Sequence, residues 1–423
     1  MELLWVRGGI PLRGTIQISG AKNAVLVELA SLLLTSGVST LCNVPDLSDV
    51  QAMVNLLAYI GCLCSWNKEA KSITVDTTGV TLKAIPSGLL QAFRASILVL
   101  GPLLARFGRA IVAYPGGCPI GARPIDFHLK AFESMGAQIT VADEELHLCA
   151  EHGLKAQTIV LEYPSVGATE NVLLAAVRTP GKTIIYNAAL EPEIFDLIAL
   201  LQAMGADVTC DVPAQIIVHG SMSLHAVEHT VLPDRLEAGT YLAAAANTGG
   251  EVTVAGISPD LLRIFIYKLQ EMGHQLCMSN NSISLVATSK PRAVSFTTMP
   301  YPGFPTDLQA PMTALLISAA GVSKVHESVF EKRLVHLVEL QKVGARTEIA
   351  GDKVVIEGVD RSMLRGAKLN AVDIRGAAGL VIAALGAEGE SLISGIEHIR
   401  RGYVAFEDTL RSLGAEIAVR EIV

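Results

Sequence analysis

Aromatic side chains are scarce, 5% of 423 residues, while half of the chain is hydrophobic. A core must therefore be built mainly from Leu, Ile, Val and Ala, and there is enough of them for a large one. Uninterrupted apolar runs are also missing, despite a mean hydropathy of +0.44. The stretches 29–45, 50–67 and 308–323 are charge-free but broken by Thr35 and Gly37, by Asn55 and Gly61, and by Gln309 and Pro311. None makes a membrane span, and a soluble protein is expected. Basic clusters longer than the pair Arg400-Arg401 are absent and the net charge is −8, which disfavours nucleic acid as a main partner. The N-terminal MELLWVRGG lacks the charged, apolar and cleavage regions of a secretory signal. Cysteines stand at 42, 62, 64, 118, 149, 210 and 277. An odd count in mostly apolar contexts fits a reducing cytoplasm better than a disulfide framework. Cys62 and Cys64 have no matching second pair, so a zinc site is not expected. The chain also lacks HExxH, a nucleophile elbow and a dinucleotide fingerprint. GGCPIGAR spaces Gly116 and Gly121 like a phosphate loop but has neither its Lys nor its Ser/Thr.

What is present is a repeat. A helical stretch ending in a hydrophobic residue, Gly, one further residue and a strand recurs as YIGCLCSW, SMGAQITV, AMGADVTC, EMGHQLCM, KVGARTEI and SLGAEIAV. The glycines are Gly61, Gly136, Gly205, Gly273, Gly344 and Gly414, spaced by 75, 69, 68, 71 and 70 residues. Each follows an amphipathic segment and suits the left-handed position that ends a helix. Between these stand helices apolar nearly all round and rich in small residues, such as EAGTYLAAAANTGG and IRGAAGLVIAALGAEG, each followed by a short strand. A helix apolar on every side is a core helix. The repeat unit is thus buried helix, strand, amphipathic helix and two or three strands. Six units with one fully buried helix each predict an α/β protein of two three-unit domains. The sixth unit stops at EIAVREIV, short of strands found elsewhere, and residues 1–20 supply strands of that kind. The expected domains are 21–229, and 1–20 plus 230–423.

Ionisable and capping residues recur in phase at the starts of the buried helices: Lys22-Asn23, Arg94, Ser165-Val166-Gly167, Arg235 with Glu237, Thr306-Asp307, and Asp373 with Arg375. Helix N-termini favour anions. If both domains point these ends at one cleft, Lys22, Arg94 and Arg375 would line a site for a multiply anionic small molecule. The alternative is that these are N-caps and surface charges; Asp307 and Asp373, each taken alone, would most often be caps. The glycine- and proline-rich loop YPGGCPIGARP, 114–124, lies in the other recurring gap, in approximate register with Asp49, Glu191, Asp260, Arg333 and Arg401. Arg123 is a cation that would lower the Cys118 pKa. That thiol would be a nucleophile or a general acid, or a loop cysteine without a role.

SGAKNAV, PGGCPIGARPIDFH, SVGATEN, PGFPTDLQAP, VFEKR, VDIRGAA and RRGY, in this order, closely resemble the enolpyruvyl transferase family, in its UDP-N-acetylglucosamine 1-carboxyvinyltransferase branch. The resemblance covers essentially the whole chain. It implies two inside-out α/β barrel domains of three units each, closing on a substrate cleft with 114–124 as a lid. It implies transfer of the enolpyruvyl group of phosphoenolpyruvate to the 3-hydroxyl of UDP-N-acetylglucosamine, the first committed step of peptidoglycan synthesis, with no metal and no cofactor. Cys118 matches the acid that protonates phosphoenolpyruvate and is alkylated by fosfomycin, Asp307 the base, and Lys22 a catalytic phosphoenolpyruvate contact. Arg94, Arg123, Arg333, Arg375 and Arg401 match cationic contacts to that substrate. Asn23, Arg94, Arg123, Pro124, Ile125, Asp126, Phe127, Ser165, Val166, Gly167, Thr306, Asp307 and Val329 match contacts to the sugar nucleotide. Tyr163 stands where some members of the family have Lys, and Leu190 at a position that is often basic in it, which leaves room for a different acceptor.

Overall fold

The computed structural model describes residues 2–90, 94–113, 125–142, 145–211 and 214–421, with the backbone alone at 87, 90 and 94. The described residues divide into two compact units, one within 20–232 and the other formed by 2–19 with 233–421. Each unit holds three sheets, built on one plan.

In that plan a short strand runs parallel to the strand that follows a buried helix, and the latter pairs antiparallel with the second arm of a hairpin. In the C-terminal unit Arg13–Gln17 is parallel to Glu251–Ala255, which pairs antiparallel with Ser282–Val286, itself the partner of Gln275–Ser279. Phe296–Thr297, Val322–His326, Lys353–Glu357 and Arg346–Ala350 repeat the order. So do Lys368–Asn370 and Glu390–Ser394, but here Glu2–Arg7 lies antiparallel between Glu390–Ser394 and Glu416–Glu421. Residues 2–19 therefore lend a strand to two different sheets of one unit. The N-terminal unit has the reciprocal feature. Glu228–Thr230 is the parallel partner of Val38–Cys42, although it follows the first buried helix by two hundred residues. The other two sheets are Thr158–Val160, Gly181–Tyr186, Gln215–Gly220 and Asp207–Asp211, and the three strands Arg109–Ala113, Glu145–Cys149 and Gln138–Ala142. The last has a single parallel bridge, Ile85 to Val112, where the others have a fourth strand.

The six recurring glycines have φ between 95° and 105°, one conformation at one position of every repeat. That region costs an L-residue roughly 1–2 kcal/mol. Glycine there lets each amphipathic helix stop and turn into its strand.

The helices apolar on all sides are buried, as the pattern requires. All 14 residues of Arg235–Thr248 are buried. In the C-terminal unit it packs with Gln309–Leu316 and Ile374–Gly386, each of which touches the other two. Small residues set their spacing. A methyl added at Gly379 would lie 2.9 Å from the Ala310 carbonyl oxygen, so only glycine admits this approach. Asn247 Nδ2 donates to the Ile382 carbonyl at 2.7 Å, tying two of these helices by a buried polar contact. In the N-terminal unit Arg94–Val99 packs on Lys22–Ser31 and on Val166–Ala176, and Leu100–Phe107 also packs on the latter. No helix among the described residues is long and apolar enough to cross a membrane.

Candidate active site

The C-terminal unit carries a cluster of buried charge where two of its core helices begin. Thr306–Leu308 is a short 3-10 turn leading into Gln309–Leu316. Asp307 projects from it and accepts from two guanidinium groups. Its Oδ2 takes Nε and Nη2 of Arg375 at 3.2 and 3.1 Å. Its Oδ1 lies 2.7 Å from Nη2 of Arg333. Asp373 caps Ile374–Gly386, accepting from the N–H groups of Arg375 and Gly376 at 3.0 and 2.9 Å. Capping thus accounts for Asp373, whereas Asp307 pairs with two arginines.

Arg375 is 2% exposed. Burial opposes its charge, but Tyr403, Asp307 and Asp234 together outweigh burial and raise its pKa. The Tyr403 ring lies 5.3 Å from the guanidinium carbon, within cation–π range. Tyr403 is itself fixed by a 3.0 Å contact to Thr240 Oγ1. Arg375 Nη1 and Arg333 Nε are buried donors that meet full hydrogen-bond geometry with no acceptor among the described residues, although the Arg375 guanidinium also engages the Tyr403 side chain. Buried N–H groups are normally paired, so these two donors mark a place where an anion can add acceptors. Arg401 is half-buried just past Glu397–Arg400.

Two residues that the sequence reading did not single out hold this cluster. Glu327 is buried and accepts from Thr298 Oγ1 at 2.8 Å, from Thr306 Oγ1 at 3.0 Å to both its oxygens, and from the N–H groups of Val329 and Phe330 at 3.0 and 3.1 Å. One carboxylate thereby fixes Thr306 and the turn bearing Val329, while Arg333 Nη1 donates to Thr306 Oγ1 at 2.8 Å. Its sequence signal is a carboxylate two and three residues ahead of the N–H groups it bonds, a local motif that is common in any loop. His336 is the second. Burial pushes its pKa down to about 4. The neutral ring donates from Nδ1 to the Arg333 carbonyl at 3.1 Å, and its Nε2 accepts from Thr313 at 2.8 Å. Thr313 stands on the helix that follows Asp307, so His336 braces Arg333 against the element carrying its partner.

In the N-terminal unit Lys22 is the first residue of Lys22–Ser31 and is buried. Its Nζ lies 3.2 Å from Asp49 Oδ2, on the first turn of Ser48–Tyr59. The repeat put Asp49 in register with the 114–124 loop but gave it no partner. A lysine at a helix N-terminus is unfavourable to the dipole, and Asp49 supplies the compensating charge. Asn23 is exposed beside it. Ser165 caps Val166–Ala176 by accepting from the Ala168 N–H at 3.4 Å, with Val166 and Gly167 partly accessible on the first turn. Ile125 is buried at the start of Asp126–Ser134. Asp126 pairs with Lys130 at 3.7 Å, and that lysine lies 5.8 Å from the Phe127 ring.

The structure therefore brings Asp307, Arg333, Arg375 and Thr306 together in one unit, with Val329 tied to them through Glu327. It brings Lys22 and Asp49 together in the other. Cys118, Arg123, Pro124 and the rest of the expected lid lie outside the described residues, as does the Arg94 side chain.

Residues 6–410 match the family model described as EPSP synthase (3-phosphoshikimate 1-carboxyvinyltransferase). The chain is 44% identical over 418 residues to the UDP-N-acetylglucosamine 1-carboxyvinyltransferase 2 of Staphylococcus saprophyticus, and 46% identical to the UDP-N-acetylglucosamine 1-carboxyvinyltransferase of Magnetococcus marinus, covering 99% of each chain. Among solved structures, the enolpyruvyl transferase NikO of Streptomyces tendae superposes with a TM-score of 0.91 at 26% identity, over 100% of this chain and 99% of that one. The EPSP synthase of Acinetobacter baumannii, at 19% identity and a TM-score of 0.76 over 100% of both chains, shares the fold. On a match that runs through both units and the whole repeat, the chain is a transferase belonging to the enolpyruvyl transferase family, alongside the UDP-N-acetylglucosamine 1-carboxyvinyltransferases.

Proposed function

We propose that the protein transfers the enolpyruvyl group of phosphoenolpyruvate to the 3-hydroxyl of UDP-N-acetylglucosamine and releases phosphate, in the cytoplasm, at the entry to peptidoglycan synthesis. The observation that carries this reading is the Arg375–Asp307–Arg333 cluster. It joins one partly accessible carboxylate to two buried guanidinium groups with donors to spare. Such a cluster offers what the reaction needs, a base beside a clamp for a multiply charged anion.

In this reading Asp307 takes the proton from the sugar hydroxyl as its oxygen attacks C2 of phosphoenolpyruvate, and Cys118 gives a proton to the C3 methylene. The tetrahedral adduct then loses phosphate while the Cys118 thiolate takes a proton from the new methyl group, which restores both the thiol and the double bond. Arg333, Arg375 and Arg401, with Lys22, Arg94 and Arg123, hold the phosphate and carboxylate of phosphoenolpyruvate. Asn23, residues 123–127, Ser165, Val166, Gly167, Thr306 and Val329 hold the sugar nucleotide. No step calls for a metal or an organic cofactor.

Phosphate release from protein mixed with both substrates tests the reading, and folded protein that releases none would sink it. Fosfomycin should add to Cys118 far faster than to the other six cysteines, and Cys118→Asp should keep turnover while resisting alkylation. Tyr163, where some members have Lys, and Leu190, at an often basic position, keep a second acceptor in view. A panel of nucleotide sugars, ranked by kcat/KM, separates the two readings.

A further inference from the structure

Away from these residues, the N-terminal unit holds a second cluster that the proposed reaction does not use. Glu28 stands on the helix Lys22–Ser31, Asp196 on Pro192–Ala203 and His229 on the strand Glu228–Thr230. One ligand atom from each lies within 4.8 Å of the others. His229 Nε2 is 3.2 Å from Asp196 Oδ1 and 3.8 Å from Glu28 Oε1. Tetrahedral ligands at zinc distances of about 2.0–2.2 Å stand roughly 3.3–3.6 Å from one another, so His229 is already near ligand spacing from both carboxylates. Glu28 is wholly buried, neither of its oxygens meets full hydrogen-bond geometry, and the group it faces is the Asp196 carboxylate. Asp196 Oδ2 is already held by the Leu232 N–H at 2.9 Å, which leaves Oδ1 for the cluster. The Asp196 and His229 side chains are each 13% exposed, so the site has a way in from solvent.

We infer that Glu28, Asp196 and His229 form a binding site for a zinc-class divalent cation, with water completing the coordination. One imidazole and two carboxylates are a ligand set that zinc accepts. The ion would tie the helix bearing Lys22 to the last strand of its unit. It is a structural site, separate from the transfer chemistry.

The test uses the full chain and zinc chloride alone. After equilibration and exhaustive dialysis, the wild type should hold one zinc equivalent more than Glu28→Gln, measured by elemental analysis. The amide introduced in that variant can still donate to Asp196, so it should fold; His229→Gln is the second variant and should lose the same equivalent. Zinc at about 100 times its Kd should raise the wild-type Tm by roughly 5 °C, and should not raise that of either variant. Cobalt should give the intense visible bands of a tetrahedral site in the wild type only. Equal zinc content and equal Tm shifts in wild type and folded variants would overturn the site, assigning the metal to surface pairs such as His147 with Glu145. Absence of retained zinc and of any Tm shift in the wild type would overturn it equally.

Discussion

Asp307→Asn separates two jobs that the structure gives to one carboxylate. The substitution keeps the shape of the side chain and removes its charge. Arg375 and Arg333 lose the anion that sits 3.1 and 2.7 Å from their nitrogens, and both arginines are buried. Removing one partner of a buried pair costs about 3–5 kcal/mol. Asp307 is 23% exposed and the amide that replaces its carboxylate still accepts a hydrogen bond, so about 2–3 kcal/mol is the expected loss. For a unit of about two hundred residues that is a Tm lower by roughly 4–12 °C. The same variant removes the proposed base, which should lower kcat by about 10²–10⁴-fold, or at least roughly 2.7 kcal/mol in the barrier. KM for phosphoenolpyruvate should not rise, because the arginines no longer share their charge with a carboxylate. For the same reason phosphate should raise the Tm of the variant more than that of the wild type. Steady-state kinetics and a phosphate titration of Tm read all of this. A kcat within threefold of wild type would refute the base. A large rise in KM at constant kcat would show that Asp307 only positions the arginines.

Other perturbations reach the supports of the site. Glu327→Gln replaces one accepting oxygen of a carboxylate that takes bonds from Thr298, Thr306, Val329 and Phe330. It should cost about 1–3 kcal/mol in chemical denaturation and raise KM for the sugar nucleotide; an unchanged midpoint would count against the hub. Lys22→Met leaves Asp49 buried beside an apolar chain, so phosphate release should fall at least 100-fold and stability should drop by about 3 kcal/mol, whereas Lys22→Met with Asp49→Asn should recover the stability but not the turnover. Gly414→Ala meets no atom within 4 Å but keeps φ at +96°; it should cost about 1–2 kcal/mol from backbone strain alone, and a neutral effect would show that the turn relaxes. Glu170 is buried near Glu193 and Glu191, and burial, then those two charges, raises its pKa well above the ordinary glutamate value of 4.5. Above that value the unfolded chain releases the proton while the folded one keeps it, so stability falls as pH rises, by up to about 1.4 kcal/mol per pH unit until the folded pKa is passed. Glu170→Gln should therefore gain on the wild type between pH 5 and pH 8, and parallel stability curves would refute the buried acid.

The repeat was legible because its signals are local and redundant. Gly61, Gly136, Gly205, Gly273, Gly344 and Gly414 each need a conformation that few residues tolerate, and the six recur at intervals of 68 to 75 residues. Helices with no polar face announce their burial by composition alone. The borrowed strands were legible by subtraction, since the sixth repeat is short of a strand and Glu2–Arg7 lies in that place. The return of Glu228–Thr230 to the first sheet carried no such signal. Three residues of a short edge strand look like any linker, and their partner Val38–Cys42 is far away in sequence. The site divides along the same line. Phase in the repeat singled out Lys22, Asp307 and Arg375 because equivalent helix starts recur, but phase cannot say which charges meet. That depends on side-chain reach across the unit: Asp307 found Arg333 and Arg375 rather than a helix N-terminus, and Asp49 found Lys22. Glu327 and His336 escaped notice for a related reason. Each acts through several short bonds to residues that looked ordinary, and a hub of this kind has no spacing of its own. Glu28 is the sharpest case. It sits amid a run of aliphatic residues on a core helix, wholly buried, with Asp196 and His229 beside its carboxyl. A charge kept inside an otherwise apolar helix costs stability unless something shares the site with it. The physical question it raises, whether a proton or a cation is the usual occupant, exists only once the three elements are folded together.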